Sequence, residues 1–297
     1  MNFTIHQLEI FLKVVQTKSI TKASEELFMT QPAVSIQLKK FQDQFDIPLT
    51  EVVGRRLFIT DFGREIAQIA EKVTNELATM NFKTEAYKGI MAGKLSISSA
   101  STGKYVIPYF LSEFIERNTG VDLTLNVTNK TYVVESLKKN ETDFALVSVL
   151  PEKIEVESET LIENKLYLMS SGPEKDDNKP LIYREEGSAT RMAMERYFEK
   201  NNKKVRKRME LTSNEAVKQA VIAGLGSSIM PLIGVKNELL NKQLYILDSK
   251  DLPIVTHWRI IWLKGKTLSP VAQAFLDFIR PRKEDILKEK FLWYLNY

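Results

Sequence analysis

Two parts of this 297-residue chain group side chains whose chemistry is recognition rather than catalysis. The first is Thr30-Gln31-Pro32, followed by Ser35, Ile36 and Lys39, which would share one side of a helix starting at Thr30. A helix entering the DNA major groove must offer groups that both donate and accept hydrogen bonds, as Gln and Ser do. Gln31 can pair with adenine N6 and N7 or reach a phosphate, and Ser35 suits a base or the backbone. Ile36 would be out of place on an ordinary surface helix, yet it fits beside a thymine methyl. Lys22, Lys39 and the pair Arg55-Arg56 are placed to hold phosphates or to enter the flanking minor groove.

The second part is a set of hydroxyls before helices. A strand from Lys94 to Ala100 carries Ser99 and runs into Ser101-Thr102-Gly103 just ahead of a helix, where backbone N–H groups make an anion site. Gly187-Ser188-Ala189-Thr190-Arg191 opens another helix, and an arginine in the first turn opposes the helix dipole unless an anion lies close. Asn129 and Thr131 end a further strand and can read polar groups. A carboxylate or phosphate ligand suits this set; plain N-capping accounts for the same hydroxyls.

Other chemistries are poorly supplied. The chain has no cysteine and two histidines, which removes disulfides, thiolate zinc sites and histidine-rich metal cages, and no metal or cofactor is expected. No Gly-x-Ser-x-Gly elbow accompanies His257 and Asp251, so an enzyme is not expected. Gly224-Leu225-Gly226 follows a helix rather than a strand and reads as a helix C-cap, not a dinucleotide fingerprint. The first residues lack a basic leader, and no run approaches the ~20 apolar residues that cross a bilayer, so a cytoplasmic protein without a membrane partner is expected. A net charge of +4 permits nucleic-acid binding without arguing for it.

The elements that position these groups follow from periodicity. Leu8, Phe11, Leu12 and Val15 recur at helical spacing. Ser19 or Thr21 caps a second helix with Ala23 and Leu27 inward, and Thr30 caps a third whose buried stripe is Val34, Leu38, Phe41 and Phe45. Pro32 is tolerated in its first turn. VVGRRLFIT reads as a hairpin turning at Gly54-Arg55-Arg56, completing a winged helix-turn-helix over 1–60. In residues 61–92, Ile66, Ile69, Val73, Leu77, Met80, Tyr87 and Met91 recur about every 3.5 residues. That stripe suits pairing with a second copy; packing on its own domain is the alternative. Beyond Gly93, strands alternate with helices as in a parallel sheet. Two α/β lobes, about 93–163 with 255–280 and about 168–250, would enclose a cleft, with LIENKLYLMSS as their connection. Residues 281–297 read as an extension, an extra helix docking on the dimer. A solute-binding receptor without DNA function is the rival reading of the two lobes.

The signature SITKASEELFMTQPAVSIQLKKFQDQFDIPL with GRRLFITDFGREI resembles the LysR-type transcriptional regulators, over essentially 1–280. SASTGKYVIP, REEGSATRMAMERYF and MELTSNEAVKQAVIAGLG are most similar to the CbbR-like subgroup, regulators of carbon-fixation operons. The resemblance implies a winged-helix DNA-binding domain, a dimerising linker helix and an α/β effector domain like a periplasmic binding protein. It further implies a homodimer assembling to a homotetramer on double-stranded promoter DNA, with RNA polymerase as a further partner, and a small-molecule effector that changes DNA bending. Two departures each remove a cation from the DNA side: Thr50-Glu51-Val52 stands where many members have Phe-Glu-Arg, and Ile36 where many have Arg.

Overall fold

The computed structural model describes residues 2–54, 56–87, 91–201, 208–295 and 297. The chain divides into two units, Met1–Gly89 and Ile90–Tyr297.

In the first unit, α1 (Ile5–Thr17) starts from a capping box: Thr4 Oγ1 accepts from the Gln7 amide, and the Gln7 side chain accepts from the Thr4 amide. Ser19 caps α2 (Ile20–Glu26) through the Lys22 amide. The third helix, α3 (Gln31–Gln42), has Thr30 as an extended N-cap residue, but the Thr30 hydroxyl makes no capping bond, contrary to expectation. Pro32 sits in the first turn, where its missing N–H costs nothing. Leu8, Phe11, Val14, Ala23, Val34, Leu38 and Phe41 bury into one core. The wing is an antiparallel hairpin of β1 (Thr50–Val53) and β2 (Arg56–Ile59); Arg55 lies outside the described residues.

The long helix α4 (Asp61–Tyr87) begins close against the hairpin, where a Cβ on Gly63 would collide with the Leu49 carbonyl. Its first turns bury Ala67 and Ala70 in the winged-helix core, and Ile66 packs partly on the same core. Ile66, the first member of the expected dimerisation stripe, is thus partly engaged by its own unit, where the N-terminal turns of α4 meet α1. Further along, Ile69, Val73 and Met80 remain 56%, 43% and 64% exposed, and Leu77 is half-buried. The Tyr87 side chain lies outside the described ones, and Met91 lies beyond the helix.

In the second unit, β3 (Ala92–Ala100) leads through a 3-10 turn (Ser101–Tyr105) into α5 (Ile107–Arg117). After it come β4 (Gly120–Thr128), α6 (Lys130–Lys138), β5 (Phe144–Val147), β6 (Val156–Ser170), β7 (Leu181–Arg184) and α7 (Ala189–Lys200). The chain continues with β8 (Arg208–Leu211), α8 (Asn214–Ile222), β9 (Ser228–Pro231), a 3-10 turn (Leu232–Gly234), α9 (Lys236–Leu240), β10 (Tyr245–Ile246), β11 (Ile254–Leu263) and α10 (Pro270–Leu295). The main sheet runs β10-β6-β11-β5-β3-β4, with β9 also on β6. β3 is parallel to β4 and β5, and a single parallel bridge from Leu181 to Ser227 joins the β7–β8 pair to the start of β9. Gly224 adopts φ +77 after α8, with the Leu225 amide bonded to the Ala220 carbonyl, a glycine C-cap as read.

Two readings need correction. LIENKLYLMSS is no mere connection but most of β6, a 15-residue strand that pairs with β11 along 156–166 and then with β9 and β10. Glu163-Asn164-Lys165 breaks its apolar run and hid it. The tail docks on its own unit: α10 continues through Pro281, bends at Phe291, and stacks Phe291 on Phe110 with ring centroids 6.2 Å apart. The fully buried Tyr294 hydroxyl accepts from the Lys165 amide at 2.7 Å and donates to the Glu163 carbonyl at 3.0 Å, tying the helix to β6.

Candidate functional site

The cleft of the second unit lies where β3, β5, β7 and β9 end, which is where crossover connections leave room for a ligand. Ser101, Thr102, Asn129, Ser188 and Thr190 line it, as the sequence suggested. Several of these groups already have partners. The Asn129 side chain caps α6 by accepting from the Tyr132 amide, Ser188 caps α7 through the Arg191 amide, and Ser101 Oγ donates to the Thr128 carbonyl.

Three expected residues are elsewhere. Ser99 is fully buried beneath Gly103 and donates to the Ala100 carbonyl. Thr131 packs against Gly187, where any Cβ would come within 2.6 Å of the Thr131 hydroxyl. Arg191 pairs with Glu195 at 2.9 Å and with Glu210 at 2.6 Å. The anion its position asked for is therefore protein carboxylate. The hydrogen bond to Glu195 leads the effects that hold its pKa above the usual arginine value.

The cleft's cations are two residues the sequence reading passed over. Arg184 ends β7 and is 4% exposed. It grips Glu185 in two-pronged fashion, Nε to Oε2 at 2.7 Å and Nη2 to Oε1 at 2.8 Å, and Nη2 also reaches Ser101 Oγ at 3.3 Å. Nη1 makes no hydrogen bond to a described residue. Lys130, in the first turn of α6, has its pKa lowered by burial, opposed by Glu152 and reinforced by Arg196. Desolvation of this ammonium is relieved by any anion placed beside it. Asn164, on β6, and Trp258, on β11, supply the floor.

Two hydrogen bonds cross between the lobes: Arg184 to Ser101, and Asn214 Nδ2 to Thr102 Oγ1 at 2.6 Å. They hold the cleft nearly shut, with a free volume of about 20 Å³. That is room for about one water, so a larger ligand enters only when the lobes part. Among the described residues no group of His, Asp and Glu could hold a metal, and no helix is long and apolar enough to cross a membrane.

In the first unit, Gln31, Pro32, Ile36 and Lys39 are exposed along α3, with Ser35 half-buried between them; Thr30, Lys22 and Arg56 are exposed beside it. Ile36 is 55% exposed. Gln37, on the adjacent side, is held back by the Gln7 amide at 3.0 Å. Thr30 makes no capping bond, and its hydroxyl has no hydrogen-bond partner among the described residues. The arrangement presents neutral hydrogen-bonding groups with cations at the margin, the distribution that base edges and phosphates require.

Comparison with known proteins places both units. Residues 5–64 match the bacterial regulatory helix-turn-helix protein, lysR family, and residues 88–284 match the LysR substrate binding domain. The HTH-type transcriptional activator CmpR of Synechocystis sp. (strain ATCC 27184 / PCC 6803 / Kazusa) is 36% identical over 296 residues, covering 96% of this chain and 97% of that protein. The RuBisCO operon transcriptional regulator of Allochromatium vinosum is 36% identical over 290 residues, covering 94% and 96%. Among solved structures, the Synechocystis PCC6803 CcmR regulatory domain in complex with 2-PG is 34% identical with a TM-score of 0.60, covering 65% of this chain and 98% of that one.

Proposed function

Because the chain belongs to the LysR family of bacterial regulators, we propose that its cleft takes a small phosphorylated carboxylate of the 2-PG (2-phosphoglycolate) kind and that this ligand alters the protein's grip on promoter DNA. The protein is a DNA-binding transcription regulator with an effector domain for a small anion, not an enzyme. LysR regulators bind promoter DNA and form oligomers. The observation that carries the ligand reading is Arg184, a guanidinium 4% exposed, set with Lys130 among the hydroxyls of Ser101, Thr102, Ser188 and Thr190. A buried cation lined by donors is what a phosphate or carboxylate selects. That a relative's regulatory domain takes 2-PG supports the same class of ligand.

In this reading Gln31, Ser35 and Ile36 meet base edges, while Lys22, Thr30, Lys39, Arg55 and Arg56 meet phosphates. Ile69, Val73 and Met80 pair with a second copy in the cytoplasm. Two such dimers join as a tetramer at the promoter, where RNA polymerase is met. The ligand acts only so far as it binds the open and closed cleft with different affinity.

The experiment is a DNase footprint on DNA upstream of the protein's own gene and its neighbour, without and with 2-PG. A protected site whose hypersensitive bands move with the ligand is expected. A footprint that 2-PG and other phosphorylated acids leave unchanged would remove the anion reading, and no protection at low salt would remove the α3 assignment.

A further inference from the structure

Three buried side-chain atoms lack a hydrogen-bond partner among the described residues: Asn140 Oδ1, Asn164 Oδ1 and Trp258 Nε1. The last two line the same cleft, and both residues are 2% exposed. Buried polar groups are nearly always satisfied, so two orphans on one floor point to a missing partner.

Their placement is fixed by β6 and β11. Asn164 lies opposite Thr256, and Trp258 is two residues further along β11, on the same face. Asn164 Nδ2 donates to Thr256 Oγ1 at 2.9 Å, which leaves the amide oxygen as the unpaired end. The floor therefore offers one donor, the indole N–H, and one acceptor, the amide oxygen. Neither carries charge, so they form a second recognition element distinct from Arg184 and Lys130. A carboxylate or phosphate oxygen satisfies the indole but leaves the amide oxygen orphaned, since an ionised carboxylate or a fully ionised phosphate only accepts. A hydroxyl both donates and accepts.

We propose that Trp258 and Asn164 read a hydroxyl on the effector, so that the preferred ligand is a phosphorylated hydroxy acid rather than its deoxy counterpart. The inference rests on the cleft being the anion site. Sites built to hydrogen-bond a hydroxyl discriminate strongly against ligands lacking it, because their own buried groups are then left unpaired.

The test is calorimetric titration of the full chain with two matched pairs: 3-phosphoglycerate against 3-(phosphonooxy)propanoate, and 2-phosphoglycerate against 2-phospholactate. Each pair differs only in one hydroxyl. In at least one pair the hydroxylated member should bind at least about tenfold tighter, and Trp258→Phe should shrink that ratio to about threefold or less. A second readout needs no variant. The chain has three tryptophans, and one indole N–H resonance should shift with the hydroxylated ligand and much less with its partner. Equal affinities within both pairs, with that resonance unmoved, would overturn the hydroxyl reading while leaving the anion site standing. No binding of any of the four, nor of 2-PG, would overturn the anion site itself and this inference with it.

Discussion

Charge at Arg184 gives a prediction with two opposite signs. Its guanidinium is engaged by Glu185 through two hydrogen bonds, and the side chains are 4% and 18% exposed. An anionic ligand on the other edge of the guanidinium must tolerate Glu185 behind it. Two like charges ~6 Å apart, at an effective dielectric of ~20, repel by about 3 kcal/mol. Glu185→Gln removes that repulsion and keeps an acceptor for Arg184, so 2-PG affinity should rise by about 10- to 100-fold. Arg184→Gln removes charge-assisted hydrogen bonds worth about 1.5–3 kcal/mol, a loss of roughly 10- to 150-fold. Calorimetric titration at fixed ionic strength measures both, and thermal midpoints of the unliganded variants separate binding from folding, since each leaves a buried charge without its partner. Weakening by both variants to a similar extent would mean that the pair is only structural. An unchanged affinity in Glu185→Gln would place the anion away from Arg184.

Four further outcomes follow from named residues. Tyr294→Phe removes the hydroxyl joining the Lys165 amide to the Glu163 carbonyl; urea unfolding should report a loss of about 1–3 kcal/mol, and a change under about 0.5 kcal/mol would deny the tail its hold on β6. Gly63→Ala drives a Cβ into the Leu49 carbonyl, with Ile59 also close; the first unit should be destabilised by at least about 1–3 kcal/mol, visible as weakened DNA binding on every sequence and a lower thermal midpoint. Gln31→Ala should cost about 1–3 kcal/mol at particular base pairs only, whereas Arg56→Ala should weaken all sequences alike and reduce the salt slope by about 1. Band-shift titrations on specific and scrambled DNA distinguish them, and a uniform loss for Gln31→Ala would contradict a base contact.

Local periodicity made the winged helix legible, because Leu8, Phe11, Val34, Leu38 and Phe41 repeat at helical spacing and meet in one core. The cleft was half legible. Hydroxyls ahead of helices announce themselves, but Arg184 follows a short apolar run and looks like the edge of a strand, not its buried end. Arg191 drew attention by opposing a helix dipole, although Glu195, four residues on, was already the anion it needed. Asn164 and Trp258 were invisible for a different reason. Their role depends on the register of two strands about ninety residues apart in sequence, a long-range pairing no local pattern encodes. The same polar triplet that furnishes Asn164 disguised β6 itself.

The two hydrogen bonds across the cleft have a bearing on how the regulator is calibrated. If Asn214–Thr102 and Arg184–Ser101 each contribute about 1 kcal/mol and together make up the whole difference between closed and open cleft, the ligand-accepting form is roughly 3% of molecules. Apparent affinity is then about 30-fold weaker than that of the open cleft. A sensor with this latch ignores traces of its metabolite and answers only when the pool is large. Its threshold can be moved without altering Arg184, Lys130 or the cleft hydroxyls: Asn214→Ala alone would lower the responding concentration by about fivefold. Such a dial lets promoter response drift with a cell's metabolite levels while the recognition groups stay as they are.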